Sequence, residues 1–283
     1  MGLAQLQHWA RAQYMHDRVR VSTARPADLL LPDVNIVHLK RCSPVHPKHL
    51  RRQAEELGVG FRSRVVAKTE EPGTAAAELT RRLSVREVQQ WLQEDISELI
   101  RVFGQQLGYP EVSAKLEVLG GTPCPRFHAD HVGVRLLVSY YGQGTVYVEN
   151  RHARRMWLWG GDGGVAVAAA DAAAARQAGP GDLLFLKGHA APGNYGMGAV
   201  HRSPDLNLDP DPDIGESLQP PPLRLLLTID DVVGWAEAAA AAAGAGGQGC
   251  GCGRPHGALG EMEEEGEDAG AGAHRPDASV LQC

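Results

Sequence analysis

The clearest hydrophobic pattern in the chain predicts an amphipathic helix over residues 84–107. Its apolar residues recur at every third or fourth position, as expected for one buried helix face: Val88, Leu92, Ile96, Leu99, Phe103 and Leu107. Ser84 and Glu87 match a capping box at the start of this helix, and Gly108 matches a stop at its end. The bulky residues of the stripe are therefore expected to pack into a core.

After this helix the pattern changes to short alternating runs, which predict β-strands. Turns containing Gly or Pro separate these runs, which cover residues 115–119, 132–141, 145–149, 165–169, 183–186, 199–201 and 223–229. For the alanine-rich run over 165–169, a helix continuing to Ala175 remains an alternative, because Ala is a poor strand former. Many short strands with frequent turns are typical of a β-barrel or jelly roll.

Before the long helix, the pattern predicts one strand and one further helix. Residues 34–39 (VNIVHL) form a short apolar run, and Pro47 and Gly58 match the start and the end of a helix. The helices thus precede most of the strands and are expected to pack on one outer face of the barrel. The predicted fold class is therefore α+β, with a jelly-roll or cupin-like barrel.

Composition divides the chain into an extension, a folded domain and a tail. Residues 1–32 have mixed polarity and end at a proline, so they are interpreted as an N-terminal extension. Residues 33–235 are predicted to form the barrel domain with its supporting helices. Within it, the Pro- and Asp-rich residues 204–222 are predicted to be a surface loop between two core strands. Residues 236–283 are rich in Ala, Gly and acidic residues and are predicted to be disordered, because they lack apolar side chains to offset ordering entropy.

Charge and cysteine usage narrow the classes of partner and compartment. Residues 236–283 carry eight acidic and two basic residues, so the whole formal charge of −6 lies there and the rest is formally neutral. Nucleic-acid binding is therefore not expected, and no apolar run approaches the length of a membrane span.

The five scattered cysteines indicate a reducing compartment, which we take as the cytoplasm. The arginine-rich residues 1–25 leave an organelle transit peptide as an alternative. Cys250 and Cys252 with His256 fit no standard zinc spacing.

The residues with the clearest chemical pattern are His128 and Asp130, at the start of the predicted strand over 132–141. Residues two apart in an extended chain point to the same face, so an imidazole and a carboxylate project together here. His131 has the opposite parity and is expected to point away. His201 follows after three or four predicted strands, about the number a barrel needs to return beside its first strand. Two histidines and one carboxylate match the facial triad of non-haem Fe(II) oxygenases, although a hydrogen-bonded cluster without metal is the alternative.

In these motifs the chain resembles the Fe(II)/2-oxoglutarate-dependent dioxygenases. The H-x-D pair is followed by the strand GPGDLLFLKG, by AVHRSP with His201, and by RLLLTID with Arg224. The resemblance implies a double-stranded β-helix in which His128, Asp130 and His201 hold Fe(II). It also implies that Arg224 binds the far carboxylate of 2-oxoglutarate as a bidentate pair.

A closer likeness is to a largely bacterial family known only as a domain of unknown function. It rests on FHADHVGVRLLVSYYGQGT together with HRSP and RLLLTID, and it covers about residues 33–233. This likeness brings no reaction with it. In one respect the chain departs from the dioxygenase pattern, because Arg224 lies much further beyond His201 than in that pattern. The predicted loop over 204–222 accounts for the longer connection.

Two further residues are candidates for contacting 2-oxoglutarate. Arg135 follows Asp130 in the same predicted strand and is a rival carboxylate anchor. Its parity is odd relative to Asp130, which favours Arg224 unless a bulge intervenes. Tyr140, near the end of this strand, offers a phenol to a ligand or packs inside the barrel.

Three functional hypotheses follow from these residues. The first is an Fe(II)/2-oxoglutarate-dependent oxygenase acting on an unidentified small molecule or side chain. The second is a cupin-like protein that binds a metal or small molecule without oxygenase activity. Arg224 discriminates between them, because a binding protein needs no cation aimed at the open face of the metal. The third is a scaffold whose acidic tail engages basic partners.

Overall fold

The computed structural model describes residues 19–158, 164–206 and 222–232. Its helices are α1 (Pro47–Leu57), α2 (Pro72–Thr80) and α3 (Arg86–Leu107). Its strands are β1 (Arg20–Ser22), β2 (Val34–Leu39), β3 (Arg62–Lys68), β4 (Glu111–Leu119), β5 (Val134–Tyr141), β6 (Val146–Val148), β7 (Ala153–Leu158), β8 (Gly164–Ala170), β9 (Arg176–Gln177), β10 (Leu183–Lys187), β11 (Val200–Arg202) and β12 (Arg224–Asp231). The fold is therefore mixed, with several sheets and few helices. The predicted tail, most of the predicted loop over 204–222 and most of residues 1–25 lie outside the described residues.

The largest sheet has seven strands in the order β1-β2-β10-β5-β12-β4-β3. All its pairings are antiparallel except that of β1 with β2. β1 lies within the predicted extension, so the folded part of the chain begins before residue 33. β12 runs between β5 and β4, and each of its eight residues is buried. Such complete burial requires that both faces of the sheet be covered.

The three helices cover one face of the seven-stranded sheet. The predicted stripe of α3 is buried as expected and joins apolar residues of the sheet in one core: Val112, Ala114, Leu116, Leu136, Val138, Phe185, Leu225, Leu227 and Ile229. Burial of this apolar surface is the main force that holds the helices to the sheet. None of the described helices combines the length and the apolar character needed to cross a bilayer.

The ends of α3 agree only in part with the sequence. Gly108 adopts a left-handed conformation with φ of 78° and ends the helix, as predicted. The predicted capping box is wrong, since the helix begins at Arg86 and no side chain caps it locally. Instead, the side-chain oxygen of Gln53 on α1 accepts hydrogen bonds from the amides of Ser84 and Val85. A residue distant in sequence thus stabilises the entry to the helix.

The other face of the seven-stranded sheet packs against a second, three-stranded sheet in the order β11-β6-β9. A second apolar cluster joins the two sheets: Ile36, Leu137, Leu184, Leu186 and Leu226 from the large sheet, with Tyr147, Ala178 and Ala199 from the smaller sheet and its flanks. A hairpin of β7 and β8 forms the third sheet, so residues 165–169 form a strand and not a helix. The candidate site lies where β11 meets the chain just before β5.

Candidate metal centre

The structure brings the three predicted ligands His128, Asp130 and His201 into one cluster. One ligand atom from each lies within 4.8 Å of the others. The backbones of His128 and His201 form an isolated antiparallel bridge, with N–H···O distances of 2.9 Å in both directions. Asp130 Oδ1 is 3.6 Å from His128 Nε2, and Asp130 Oδ2 is 3.1 Å from His201 Nε2. Residues from two distant parts of the chain therefore converge on one small volume.

Each imidazole of the cluster is oriented by a backbone carbonyl. His128 Nδ1 donates to the Arg126 carbonyl at 2.9 Å, and His201 Nδ1 donates to the Ala199 carbonyl at 3.1 Å. These bonds place the proton on Nδ1, so Nε2 can offer its lone pair, an arrangement common in metal-binding histidines. In both residues it is Nε2 that faces Asp130. Two imidazole nitrogens and a carboxylate oxygen suit Fe(II) and related divalent ions, so the donor set fits such an ion.

The charges around the cluster favour the protonation states that bind a metal. Burial favours the neutral acid of Asp130, yet the adjacent Arg135 and His201 hold the pKa of this carboxyl well below its usual range. Burial, together with the nearby His201, lowers the pKa of His128 below its ordinary value. A carboxylate beside a neutral imidazole is the combination that a divalent cation requires.

The loop that carries Asp130 is held by backbone hydrogen bonds to the segment after β10. The amide of His189 donates to the Asp130 carbonyl at 2.8 Å, and the amide of Gly188 donates to the Gly133 carbonyl at 2.9 Å. Gly188 allows this close approach, because a Cβ there would lie 2.0 Å from the Val132 carbonyl oxygen and 2.9 Å from that of Asp130. Position 188 therefore requires glycine if Asp130 is to stay in place.

We expect Gly188→Ala to destabilise the fold by about 1–3 kcal/mol, because the two backbone segments must separate. The same displacement moves Asp130, so affinity for a divalent ion should fall as well. Thermal unfolding and metal titration of the purified variant measure both effects. Gly121→Ala is the control, since a Cβ at that position meets nothing within 4 Å. An unchanged metal affinity in Gly188→Ala would show that the loop position does not matter to the site.

Arg224 is a buried cation between the two packed sheets. Only 2% of the residue is exposed, and burial lowers the pKa of its guanidinium to about 10, so it is charged at neutral pH. Its Nε donates to Ser139 Oγ at 2.8 Å, and its Nη2 donates to Thr145 Oγ1 at 2.7 Å. Both partners are neutral hydroxyls, and no carboxylate of the described residues forms an ion pair with Arg224.

The buried acids that could have neutralised Arg224 have other partners. Asp182 accepts a hydrogen bond from the side chain of His38, and Asp230 is bound by an arginine of β5. Glu117 raises the pKa of Arg224 through its charge, but one basic side chain of β3 and one of β4 already bind it. The positive charge of Arg224 is therefore poorly compensated within the described chain.

Arg135, which the sequence suggested as an alternative carboxylate anchor for a ligand, lies against carboxylates of the protein itself. Its guanidinium already binds two carboxylates of the protein, Asp130 through Nη1 and Asp230 through Nε and Nη2. Its odd spacing from Asp130 does not turn it away from that residue, because β5 begins only at Val134 and the residues just before it form a bend. Arg135 therefore contacts the cluster as a partner of Asp130, although it lies an odd number of residues after it.

Tyr140 lies on the opposite face of the seven-stranded sheet from the cluster, which corrects its assignment to the site. Its hydroxyl donates to Asp95 Oδ2 on α3 at 2.6 Å, and its ring contacts Trp91 edge-on at 5.4 Å between centroids. It alternates with Leu136 and Val138 along β5 and joins the helix-side core with them, because the bend before the strand changes their parity relative to Asp130. The alternative prediction for this residue, that it packs in the core, describes it correctly.

A buried polar chain beside the cluster was not apparent from the sequence. Tyr147 pairs directly with His201 in the smaller sheet, and its hydroxyl lies 2.9 Å from His38 Nδ1. His38 Nε2 in turn donates to Asp182 Oδ2 at 2.8 Å. Tyr147, His38 and Asp182 come from three separate strands or turns, so only the pairing of distant strands could have revealed them.

His131 is exposed, as its parity predicted. Its ring contacts that of His189 at 5.6 Å between centroids, and it does not belong to the His–Asp–His cluster. His131 thus lies outside the cluster, although it belongs to the bend before β5 and not to an extended strand.

Comparison with solved structures finds similar chains of low sequence identity. A prolyl-4-hydroxylase from Pseudomonas putida is 14% identical with a TM-score of 0.32, covering 76% of this chain and 97% of that one. A bsmA homolog from Methylobium petroleophilum is 16% identical with a TM-score of 0.33, covering 75% and 96%. The Fe(II)/(alpha)ketoglutarate-dependent dioxygenase TqaL is 13% identical with a TM-score of 0.31, covering 79% and 85%. No curated protein matches the chain.

A family profile described as "Protein of unknown function (DUF1826)" matches residues 24–211. The matched range contains the H-x-D motif and His201, whereas Arg224 lies beyond it. The match confirms the likeness to a domain of unknown function that the sequence motifs indicated. Because it covers well over half of the chain, the protein belongs to the DUF1826 family.

Proposed function

We propose that the protein is an Fe(II)- and 2-oxoglutarate-dependent oxygenase that acts on a small molecule or a side chain. The observation that carries the proposal is the buried cation of Arg224, whose partners among the described residues are two hydroxyls and which lies on the sheet face that also supports the His–Asp–His cluster. An unpaired buried charge is costly, so a bound anion is its natural partner. A dicarboxylate that also binds the metal meets this need.

In this proposal His128, Asp130 and His201 hold the iron. The carbonyls of Arg126 and Ala199 fix the two imidazole rings, so Nε2 of each ring is aimed before any metal arrives. When bound, iron and 2-oxoglutarate together would supply the activation of dioxygen and the oxidation of the substrate. The chain itself provides the ligands, their orientation and a site partly shielded from water.

Arg224 would bind the far carboxylate of 2-oxoglutarate. Ser139 and Thr145 take hydrogen bonds from Nε and Nη2 and so fix the plane of the guanidinium. Within the described part of the chain nothing else accepts from the remaining N–H groups of the fork, so they would be available to a ligand. Leu137 and Leu226 belong to the apolar cluster on this face, and they would exclude water from the ion pair and strengthen it.

We further infer that the two packed sheets are the two sides of a double-stranded β-helix. The apolar cluster between the sheets and the bridge from His128 to His201 support this interpretation. In such a barrel, the start of β5 and the strand β11 come together at one end. That arrangement would explain why ligands so distant in sequence converge.

Anaerobic titration of the full-length protein with Fe(II) and then 2-oxoglutarate tests the proposed function. Chelation of the ferrous ion by 2-oxoglutarate is expected to produce a weak visible charge-transfer band that saturates at one equivalent. Fe(II) alone and 2-oxoglutarate alone are the controls and should give no band. If iron binds but 2-oxoglutarate produces no band, the protein is a cupin-like metal-binding protein and the oxygenase proposal is wrong.

A further inference from the structure

Asp130 shares its carboxylate with a second pair of charged residues. Arg135 Nη1 donates to Asp130 Oδ2 at 2.7 Å. The same guanidinium donates through Nε and Nη2 to Asp230 Oδ1 and Oδ2, at 2.6 and 2.8 Å. No more than 12% of any of the three side chains is exposed. One arginine therefore joins a buried carboxylate of the cluster to a buried carboxylate of the sheet.

The position of this arginine is fixed by the sheet. Asp230 lies directly opposite Arg135 in the pairing of β12 with β5, and β12 is also paired with β4 on its other side. The two parallel N–H···O bonds between Arg135 and Asp230 hold the guanidinium plane, since a planar fork matches a carboxylate. Rotation of Arg135 away from Asp130 would break a buried bidentate pair.

We propose that Arg135 and Asp230 form a positioning pair that holds Asp130 Oδ2 and thereby leaves Oδ1 for the metal ion. This inference rests on the metal site of the proposed function. A carboxylate that binds a metal through one oxygen fills one coordination position, whereas binding through both oxygens fills two. The pair would thus keep a position open for the co-substrate. It acts through Asp130 and touches neither metal nor substrate.

A purely electrostatic role for the pair makes different predictions. If only charge mattered, removal of the Arg135 cation would strengthen the binding of a divalent cation, and removal of the Asp230 anion would weaken it. If the pair positions Asp130, both changes weaken metal binding, because both release the carboxylate from its place. Arg135→Lys separates the two roles further, since it keeps the charge but loses the fork.

The experiment is a Co(II) titration of the full-length protein and of the variants Arg135→Gln, Arg135→Lys and Asp230→Asn. Co(II) is a spectroscopic probe whose visible absorption reports its coordination, so affinity and geometry are read together without any activity. We expect the affinity to fall about ten- to a hundred-fold in the Gln and Asn variants, as is usual when a residue that orients a ligand is removed. The Lys variant should be intermediate, and all three spectra should differ from that of the wild type.

Asp95→Asn is the matched control. Arg41 binds Asp95 through both terminal nitrogens on the helix side of the sheet, remote from the cluster. This change should lower the melting temperature without altering the Co(II) spectrum or affinity. Tighter binding in Arg135→Gln with weaker binding in Asp230→Asn would overturn the inference, as would an unchanged spectrum and affinity in Arg135→Lys. Failure of the wild type to bind Co(II) would refute the metal site itself, a result distinct from failure of the positioning pair alone.

Discussion

His128→Ala, Asp130→Ala and His201→Ala are each expected to abolish stoichiometric Fe(II) binding while the protein still folds. Each change removes one of three ligands, and two remaining ligands do not hold a labile ferrous ion. The fold should persist because the apolar clusters on both faces of the large sheet do not include these residues. Iron content after anaerobic loading and desalting, with thermal unfolding in parallel, measures both outcomes.

His131→Ala serves as the control for these three changes. This histidine is adjacent to Asp130 in sequence but is exposed and does not belong to the cluster. It should keep full iron occupancy. Full occupancy in any of the other three variants would exclude that residue from the metal site, and loss of iron in His131→Ala would mean that the cluster is wrongly identified.

The parts of the fold that the sequence predicted best are those with a long, regular pattern. The stripe of α3 buries its apolar residues as expected, because the core fixes which face turns inward, and the apolar run over 223–229 forms the buried strand β12. β3 was not predicted, although it is a regular strand. It lies at the edge of the large sheet, where most of its side chains remain at least partly exposed and the apolar signal is weak. Hydrophobic periodicity along a sequence reflects burial, and a strand at the edge of a sheet buries few of its side chains.

The candidate site was predictable to the extent that its residues have a local motif. His128 and Asp130 are two residues apart, and His201 and Arg224 follow in the order that the resemblance required. The partners of these residues were not predictable. Asp130, for example, is bound by Arg135, and Arg135 is held by Asp230 through the pairing of β12 with β5.

The remaining differences arise where the backbone departs from a regular element or where a distant segment packs nearby. Tyr140 lies on the helix face with Leu136 and Val138, because the bend before β5 changes their parity relative to Asp130. Gln53 replaces the predicted capping residue because α1 packs beside the start of α3. Neither the bend nor the position of a distant helix is specified by a local sequence pattern.

Arg224→Ala is expected to retain iron but to weaken 2-oxoglutarate binding by about 2–5 kcal/mol, as for loss of one partner of a buried charged pair. The guanidinium is buried, oriented by Ser139 and Thr145, and without a carboxylate partner among the described residues. Arg224→Lys should recover only part of the affinity, since a point charge cannot reproduce two parallel hydrogen bonds. Calorimetric titration of 2-oxoglutarate at matched iron loading measures the three affinities.

Arg41→Ala is the control for this prediction. Arg41 is also an arginine held by hydrogen bonds in the fold, but it lies on the helix side of the sheet and is neutralised by Asp95. Its loss should lower stability and leave 2-oxoglutarate affinity unchanged. Equal affinity in the wild type, Arg224→Ala and Arg224→Lys would refute the role of Arg224. The guanidinium would then be a structural donor to Ser139 and Thr145, and its loss would lower only the free energy of unfolding. A specific loss of 2-oxoglutarate affinity at constant iron content is the result that separates an oxygenase from a protein that only binds metal.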